Sequence, residues 1–136
     1  MAILNEYFTL ANGVKIPKLA LGTWQITDDE TAYKSVMTAL EYGYRHIDTA
    51  YVYGNEKAVG RAVRNSGLKR DEIFVTSKLP AEIKQAPLAR EHFEKTMDNL
   101  GLDVLDLYLI HWPNPLAFRD KMEEMNIIIP KAIENM

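Results

Sequence analysis

The sequence has 136 residues, a formal net charge of −3 and no cysteine. This length suits one domain, and an apolar fraction of 47% is sufficient for a packed core. The mild acidity gives no reason to expect nucleic-acid or anionic-membrane binding, and the lack of cysteine excludes disulfides and thiolate metal sites. The chain carries no signal-peptide pattern and no apolar run near the roughly 20 residues of a membrane span. We therefore expect a cytoplasmic protein without a membrane or nucleic-acid partner.

The chain opens with a hairpin pattern. Asn12-Gly13 is a favoured two-residue turn, and it lies between the strand-like segments 7–10 and 14–16. Pro17 cannot donate a ladder hydrogen bond, so we expect the pairing to end there. The short apolar run 19–21 follows and ends at Gly22, and we interpret it as the first strand of a buried sheet.

Three helix patterns follow. The first begins at a capping box over residues 27–30, Asn55 can cap the second, and Pro87 suits the first turn of the third. Each is predicted to end at a glycine, namely Gly43, Gly67 and Gly101. The faces predicted from helical spacing are Ala32, Val36, Ala39 and Leu40; then Ala58, Val59, Ala62 and Val63; then Leu88, His92, Phe93, Thr96, Met97 and Leu100.

Short apolar strands alternate with these helices. They are predicted at residues 44–48, 73–76 and 106–110, and a further helix is predicted from about 116 to 136, interrupted by the run 127–129 and by Pro130. Such alternation predicts an α/β fold with a parallel sheet covered by helices. We expect a single domain over residues 1–136, with the hairpin at 7–17 and βα units over 18–136.

Polar side chains are predicted at the carboxyl ends of these strands, where parallel α/β proteins carry their chemistry. The set is Asp48, Tyr53, Lys78 and His111, joined by Trp24 and Trp112. Each residue alone has an ordinary explanation as a turn former, a packing tyrosine, a solvated charge or a structural histidine. Their common placement at strand ends argues against four coincidences.

Together these residue types support protonation of an oxygen that gains negative charge. A tyrosine hydroxyl is ordinarily a weak acid with a pKa near 10, and an adjacent ammonium makes it a stronger one. An aspartate beside the lysine keeps that ammonium charged and in place. A neighbouring histidine can donate a hydrogen bond to a carbonyl oxygen and orient it. Reduction of a carbonyl by hydride needs this combination.

Several segments resemble the aldo-keto reductase family, and within it the 2,5-diketo-gluconate reductase-like branch. The densest is Gly-Tyr-Arg-His-Ile-Asp-Thr-Ala at 43–50, followed by Tyr-Gly-Asn-Glu at 53–56 and Val-Gly at 59–60. Leu-Gly-Thr-Trp at 21–24, Phe-Val-Thr-Ser-Lys-Leu at 74–79 and Leu-Ile-His-Trp-Pro at 109–113 also match. The resemblance covers nearly the whole chain and thins after Asn126.

The resemblance implies a TIM (β/α)8 barrel with a hairpin plugging its base, and NADPH-dependent reduction of aldehydes and ketones to alcohols. It implies that Tyr53 is the general acid, that Lys78 and Asp48 tune it, and that His111 orients the carbonyl of a small substrate. The residues implied along the nicotinamide side of the cofactor are Gly22, Thr23, Trp24 and Asp48. The residues implied at the substrate are Trp24, Tyr53, His111 and Trp112.

A complete barrel of this kind takes about 250 residues, so the chain is expected to form a truncated or half barrel. The resemblance places the later strands, and most of the cofactor and specificity residues, outside this sequence. Exposed sheet edges would favour a homodimer or higher oligomer. The alternatives are a non-catalytic, self-associating half-barrel without cofactor binding, or a fragment of a longer enzyme. The physiological substrate and the choice between NADPH and NADH stay open.

Overall fold

A computed structural model describes residues 2–112. Its strands are β1 (Tyr7–Thr9), β2 (Lys15–Pro17), β3 (Leu21–Gly22), β4 (His46–Asp48), β5 (Phe74–Leu79) and β6 (Leu107–Ile110). Its α-helices are α1 (Asp29–Glu41), α2 (Glu56–Asn65) and α3 (Ala86–Leu100), and short 3-10 helices span Ala2–Asn5, Tyr51–Tyr53 and Arg70–Glu72. The helix predicted for residues 116–136 lies outside the described residues.

The four strands β3 to β6 form one parallel sheet in chain order, and one α-helix lies between each consecutive pair along the chain. Asp48 is the register partner of Gly22 on one side and of Thr76 on the other. Because side chains alternate along a strand, Asp48, Thr76 and Lys78 share one face of the sheet. Ile47 and Val75 face the other way, into the core. This arrangement confirms the predicted parallel α/β fold.

The core lies between that second face and the helices. The predicted faces of α1 and α2 are confirmed, since all eight of their residues are buried. The face of α3 was predicted less well, because Leu88 is exposed and the neighbouring Ala89 is buried instead. The predicted glycine ends of the helices are confirmed, since Gly43, Gly67 and Gly101 all adopt positive φ. Helices commonly end with a residue in this left-handed conformation, which glycine adopts without steric cost.

The hairpin of β1 and β2 differs from its prediction in two respects. The connection has three residues, because Leu10 donates its amide to the Val14 carbonyl and Gly13 adopts φ +85° as in a bulged turn. Pairing also continues through Pro17, which lies opposite Tyr7. Ladder hydrogen bonds on either side place Pro17 at a position where its nitrogen points away from β1, so its missing N–H costs no bond.

The helix starts also differ in detail. Asp28, not Thr27, caps α1, and its carboxylate accepts the Thr31 amide at 2.7 Å. Asn55 occupies the residue before α2 but makes no capping bond, because its side chain is used elsewhere. Pro87 lies in the first turn of α3, as predicted. Among residues 2–112, no helix has the length and apolar character needed to cross a membrane.

Candidate active site

The carboxyl ends of the parallel strands bring the four predicted polar residues together. Asp48 is the last residue of β4, Tyr53 ends the 3-10 helix that follows it, and His111 comes directly after β6. The prediction that Lys78 follows its strand was wrong, since it lies inside β5. Its place on the Asp48 face still directs its side chain to the same site.

Lys78 and Asp48 form the electrostatic centre of this group. The Lys78 ammonium donates to Asp48 Oδ1 as an ion pair and to the Thr49 carbonyl at 2.8 Å. Only 12% of the Lys78 side chain is exposed. A desolvated ammonium needs such partners. These two bonds therefore hold the Lys78 ammonium at the carboxyl end of β4.

Tyr53 lies between Lys78 and His111. The Lys78 Nζ is 5.1 Å from the centre of the Tyr53 ring, a cation–π distance. The Tyr53 and His111 ring centres are 5.6 Å apart with their planes at 78°, an edge contact. These contacts place the tyrosine beside a fixed positive charge and a second polar ring.

The environment of His111 favours its neutral form. Burial, and then the positive charge of Lys78, lower the pKa of His111 below its ordinary value of 6.5, while Asp48 and Glu82 oppose the shift. At neutral pH the imidazole is therefore uncharged and keeps one N–H donor. Such a ring can donate a hydrogen bond without adding another cation to the site.

The two predicted tryptophans are connected to this group in different ways. The Trp24 side chain follows the end of β3 and is 67% exposed, while Trp112 is 68% exposed and stacks on His111 with 6.4 Å between ring centres. Thr23, which precedes Trp24, donates its amide to the Asp48 carbonyl at 3.0 Å. Both rings are therefore accessible, but only Trp112 contacts a site residue directly, whereas Trp24 is linked to Asp48 through the backbone of Thr23.

A buried polar network behind the site was missed by the sequence interpretation. Asn55, predicted as a helix cap, joins the hydroxyls of Thr23 and Thr49, and all three residues are almost fully buried. In the sequence, this network was indicated only by the polar residues Thr23 and Thr49, which directly follow β3 and β4. Their mutual contacts depend on how neighbouring strands align.

A cavity of about 590 Å³ lies away from this site, near the amino ends of the strands. Hairpin side chains such as Tyr7 and Leu10 line it together with Phe74 and Leu107. Its size alone would make it a candidate pocket, but Asp48, Tyr53, Lys78 and His111 do not line it. The polar cluster at the carboxyl ends is therefore the better candidate for catalysis.

Comparison with known proteins places the chain in a family. The model of the aldo/keto reductase family matches residues 18–133. Over 107 residues the chain is 53% identical to an uncharacterised oxidoreductase of Schizosaccharomyces pombe, covering 79% of the chain and 33% of the relative. An aldehyde reductase of Saccharomyces cerevisiae is 44% identical over 126 residues, covering 93% and 39%. The same yeast's glycerol 2-dehydrogenase (NADP(+)) is 50% identical over 108 residues, covering 79% and 34%.

Solved structures agree with this assignment. An aldo/keto reductase from Brucella melitensis superposes with a TM-score of 0.86 at 38% identity, covering 93% of this chain and 50% of that one. An aldo-keto reductase from a deep-sea metagenome gives a TM-score of 0.79 at 42% identity, covering 88% and 45%. The fold is thus the predicted partial (β/α)8 barrel. The chain belongs to the aldo/keto reductase family, and it spans a third to two fifths of the curated relatives quoted above.

Proposed function

We propose that this chain supplies the proton-transfer half of an NADPH-dependent carbonyl reduction, with Tyr53 as general acid. The observation that carries the proposal is the contact of one tyrosine with both Lys78 and His111. The substrate would be a small aldehyde or ketone, and the product an alcohol. Cytoplasmic location is part of the same proposal.

The proton balance follows from the charges at the site. As hydride reaches the carbonyl carbon, its oxygen gains negative charge and takes the proton of the Tyr53 hydroxyl. The tyrosinate left behind is stabilised by the Lys78 ammonium. Asp48 holds that ammonium in place through the ion pair. The arrangement stabilises charge where it develops in the transition state.

His111 would orient the substrate. Its neutral imidazole can donate a hydrogen bond to the carbonyl oxygen on the side away from Lys78. A second protonated group there would compete with Tyr53 as the proton donor, so the lowered pKa of His111 suits an orienting role. Trp24 and Trp112 would form the walls of the pocket.

The described residues fit the nicotinamide end of the cofactor. Asp48 uses Oδ1 for Lys78, which leaves Oδ2 to accept a ribose hydroxyl. Its register partner Gly22 has open space where a side chain would be, and Thr23 and Trp24 continue from it. When bound, NADPH supplies the hydride. Lys78 is already engaged by Asp48 and by the Thr49 carbonyl, so it is not free to bind the phosphates.

The test is turnover by the 136-residue chain of verified mass, followed by loss of NADPH absorbance with a reactive aldehyde. We expect Tyr53→Phe to lower kcat by at least about 100-fold, the usual contribution of a general acid. The control is Tyr51→Phe in the same 3-10 helix, whose ring packs on His92 instead. Absence of both NADPH binding and turnover would refute the proposal for this chain, and equal rates for the two variants would exclude Tyr53 as the acid.

A second candidate function is assembly. Within residues 2–112 the strands β3 and β6 are the sheet edges, and Leu109 on β6 is 38% exposed. Open edges of this kind pair readily with another chain. We propose that a second copy covers them, giving a homodimer or higher oligomer whether or not the chain binds cofactor. Light scattering tests this directly, and a stable monomer at all concentrations would refute it.

A further inference from the structure

The Asn55 side chain has every hydrogen-bonding position filled although only 2% of the residue is exposed. Its Nδ2 donates to the carbonyls of Thr23 at 2.8 Å and Ile26 at 3.0 Å. Its Oδ1 accepts from the hydroxyls of Thr49 at 3.0 Å and Thr23 at 3.2 Å. An asparagine amide has two donors and two acceptor positions, so this residue is fully satisfied without capping α2.

These four bonds join three segments that carry the site. Thr23 and Ile26 are the first and last residues of the loop that contains Trp24. Thr49 directly follows Asp48, and its carbonyl accepts the Lys78 ammonium at 2.8 Å. Asn55 itself comes two residues after Tyr53. One buried amide therefore fixes the spacing between the Trp24 loop and the proton-transfer residues.

The Trp24 loop needs such support. Gln25 has φ of +63°, a conformation that is strained for residues with a side chain. The two carbonyls that Asn55 holds lie on either side of Gln25. Without those bonds the backbone could relax to a negative φ, and such a change would move the neighbouring Trp24 side chain.

We propose that Asn55 is a positioning residue, which holds the loop that carries Trp24 in place through the Thr23 and Ile26 carbonyls. The inference rests on the proposed function, because Trp24 matters there as a wall of the substrate and nicotinamide pocket. At 2% exposure Asn55 has almost no surface with which to contact a substrate or cofactor. It acts through the loop, so its loss weakens binding at the pocket more than it slows proton transfer.

Two variants of the 136-residue chain remove the support in different ways. Asn55→Asp keeps the acceptor Oδ1 but replaces the Nδ2 amide group, which donates both hydrogen bonds, with a second oxygen. Thr49→Val removes a hydroxyl from the network at constant shape. Thr49→Ser restores that hydroxyl. Thr96→Val is the matched control, since Thr96 is equally buried and its hydroxyl makes no bond of ordinary geometry within residues 2–112.

The primary measurement is hydrogen exchange at the Thr23 and Ile26 amides, which are bonded to the Asp48 and Thr23 carbonyls. We expect about tenfold faster exchange in Asn55→Asp and in Thr49→Val, the effect of losing about one net hydrogen bond. Exchange in β5 should stay unchanged. The exchange rates of Thr49→Ser and Thr96→Val should equal those of the parent chain. If Asn55→Asp does not fold, Thr49→Val still tests the proposal.

A second measurement reports on the ring itself. In a Trp112→Phe background, the fluorescence anisotropy of Trp24 should decay faster in the two loosening variants only. If the parent chain turns over, Thr49→Val should raise KM by a larger factor than it lowers kcat, as expected when binding is lost more than chemistry. Unchanged exchange at residues 23 and 26, or an equal change in Thr96→Val, would overturn the proposal. An inactive parent chain would count against the proposed function alone.

Discussion

Lys78 and Asp48 lie on neighbouring parallel strands and form an ion pair, with the lysine side chain 12% exposed and the aspartate side chain 32% exposed. Asp48 is the last residue of β4 and Lys78 is the last but one of β5, so the ion pair lies at the carboxyl end of the sheet. A pair at this depth is costly to break, since the remaining charge is left poorly solvated.

Lys78→Met should therefore lower the free energy of unfolding by about 2–3 kcal/mol, somewhat less than for a fully buried pair. Adding Asp48→Asn should recover part of that loss, because no unpaired carboxylate remains. Urea denaturation measures both changes. The control is Lys95→Met, whose pair with Glu91 is exposed and should cost less than about 1 kcal/mol. Equal losses for the two lysine variants would contradict this prediction.

The buried ring of His46 should make the stability of the protein depend on pH. Its Nδ1 lies 3.4 Å from the Pro17 carbonyl and its Nε2 lies 2.9 Å from the Thr76 hydroxyl. Since a carbonyl only accepts, Nδ1 carries the proton, and Nε2 accepts from Thr76 in the neutral ring. Burial lowers the pKa of His46 below 6.5, so this neutral state is the native one.

The unfolded chain then binds more protons than the folded chain as pH falls below about 6.5, and stability must decrease there. The groups around His46 act in both directions: the hydrogen bond to the Pro17 carbonyl and then Asp48 and Asp106 raise its pKa, and Lys78 lowers it further. We expect the loss of unfolding free energy between pH 7 and pH 5.5 to be smaller in His46→Gln. Parallel pH profiles for the two proteins would exclude His46 as the cause.

Glu56 should change the stability with pH in the opposite direction from His46. It is 2% exposed, and its carboxylate accepts from the Ser77 hydroxyl at 2.7 Å and the Asn99 amide at 2.9 Å. Burial raises its pKa above 4.5 despite these bonds. The folded state is therefore disfavoured as pH rises from the unfolded pKa through the folded one, when this carboxyl must ionise while buried.

Glu56→Gln removes that ionisation and keeps the shape. It should raise the free energy of unfolding at pH 7 by about 1 kcal/mol, since a buried charge is costly even when hydrogen-bonded. The gain should fade towards pH 4, where the parent carboxyl is protonated too. Denaturation at both pH values decides the matter, and a loss of stability at pH 7 would mean that the ionised carboxylate is the stabilising form.

Gly60 is needed for the packing of α2 on α3. A methyl group there would clash with the Leu100 carbonyl, at the end of α3. Gly60→Ala improves helix propensity by about 1 kcal/mol, yet the clash should make it destabilising by about 2 kcal/mol overall. Thermal or urea unfolding would measure this. Lys57→Ala, on the exposed side of the same helix, should change stability by less than about 0.5 kcal/mol.

Local patterns explain why much of the fold was predictable. The faces of α1 and α2 follow from helical spacing, and the glycine ends follow from the positive φ that each requires. The hairpin loop was harder, because Asn12-Gly13 fits both a two-residue turn and the three-residue bulged turn that forms. Leu88 was placed on the wrong side of α3, since its spacing alone does not distinguish it from Ala89.

The alternation of strands and helices along the chain and the strand-end positions of Asp48, Tyr53 and His111 followed from the sequence by itself, because parallel βα units bring those ends to one edge. Tertiary structure alone decided the position of Lys78 inside β5, the neutral state of His111 and the burial of Glu56. It also turned Asn55 from a predicted helix cap into the link between two loops. Hydrogen bonds and pKa shifts of this kind depend on distances between strands far apart in the chain, which no local pattern contains.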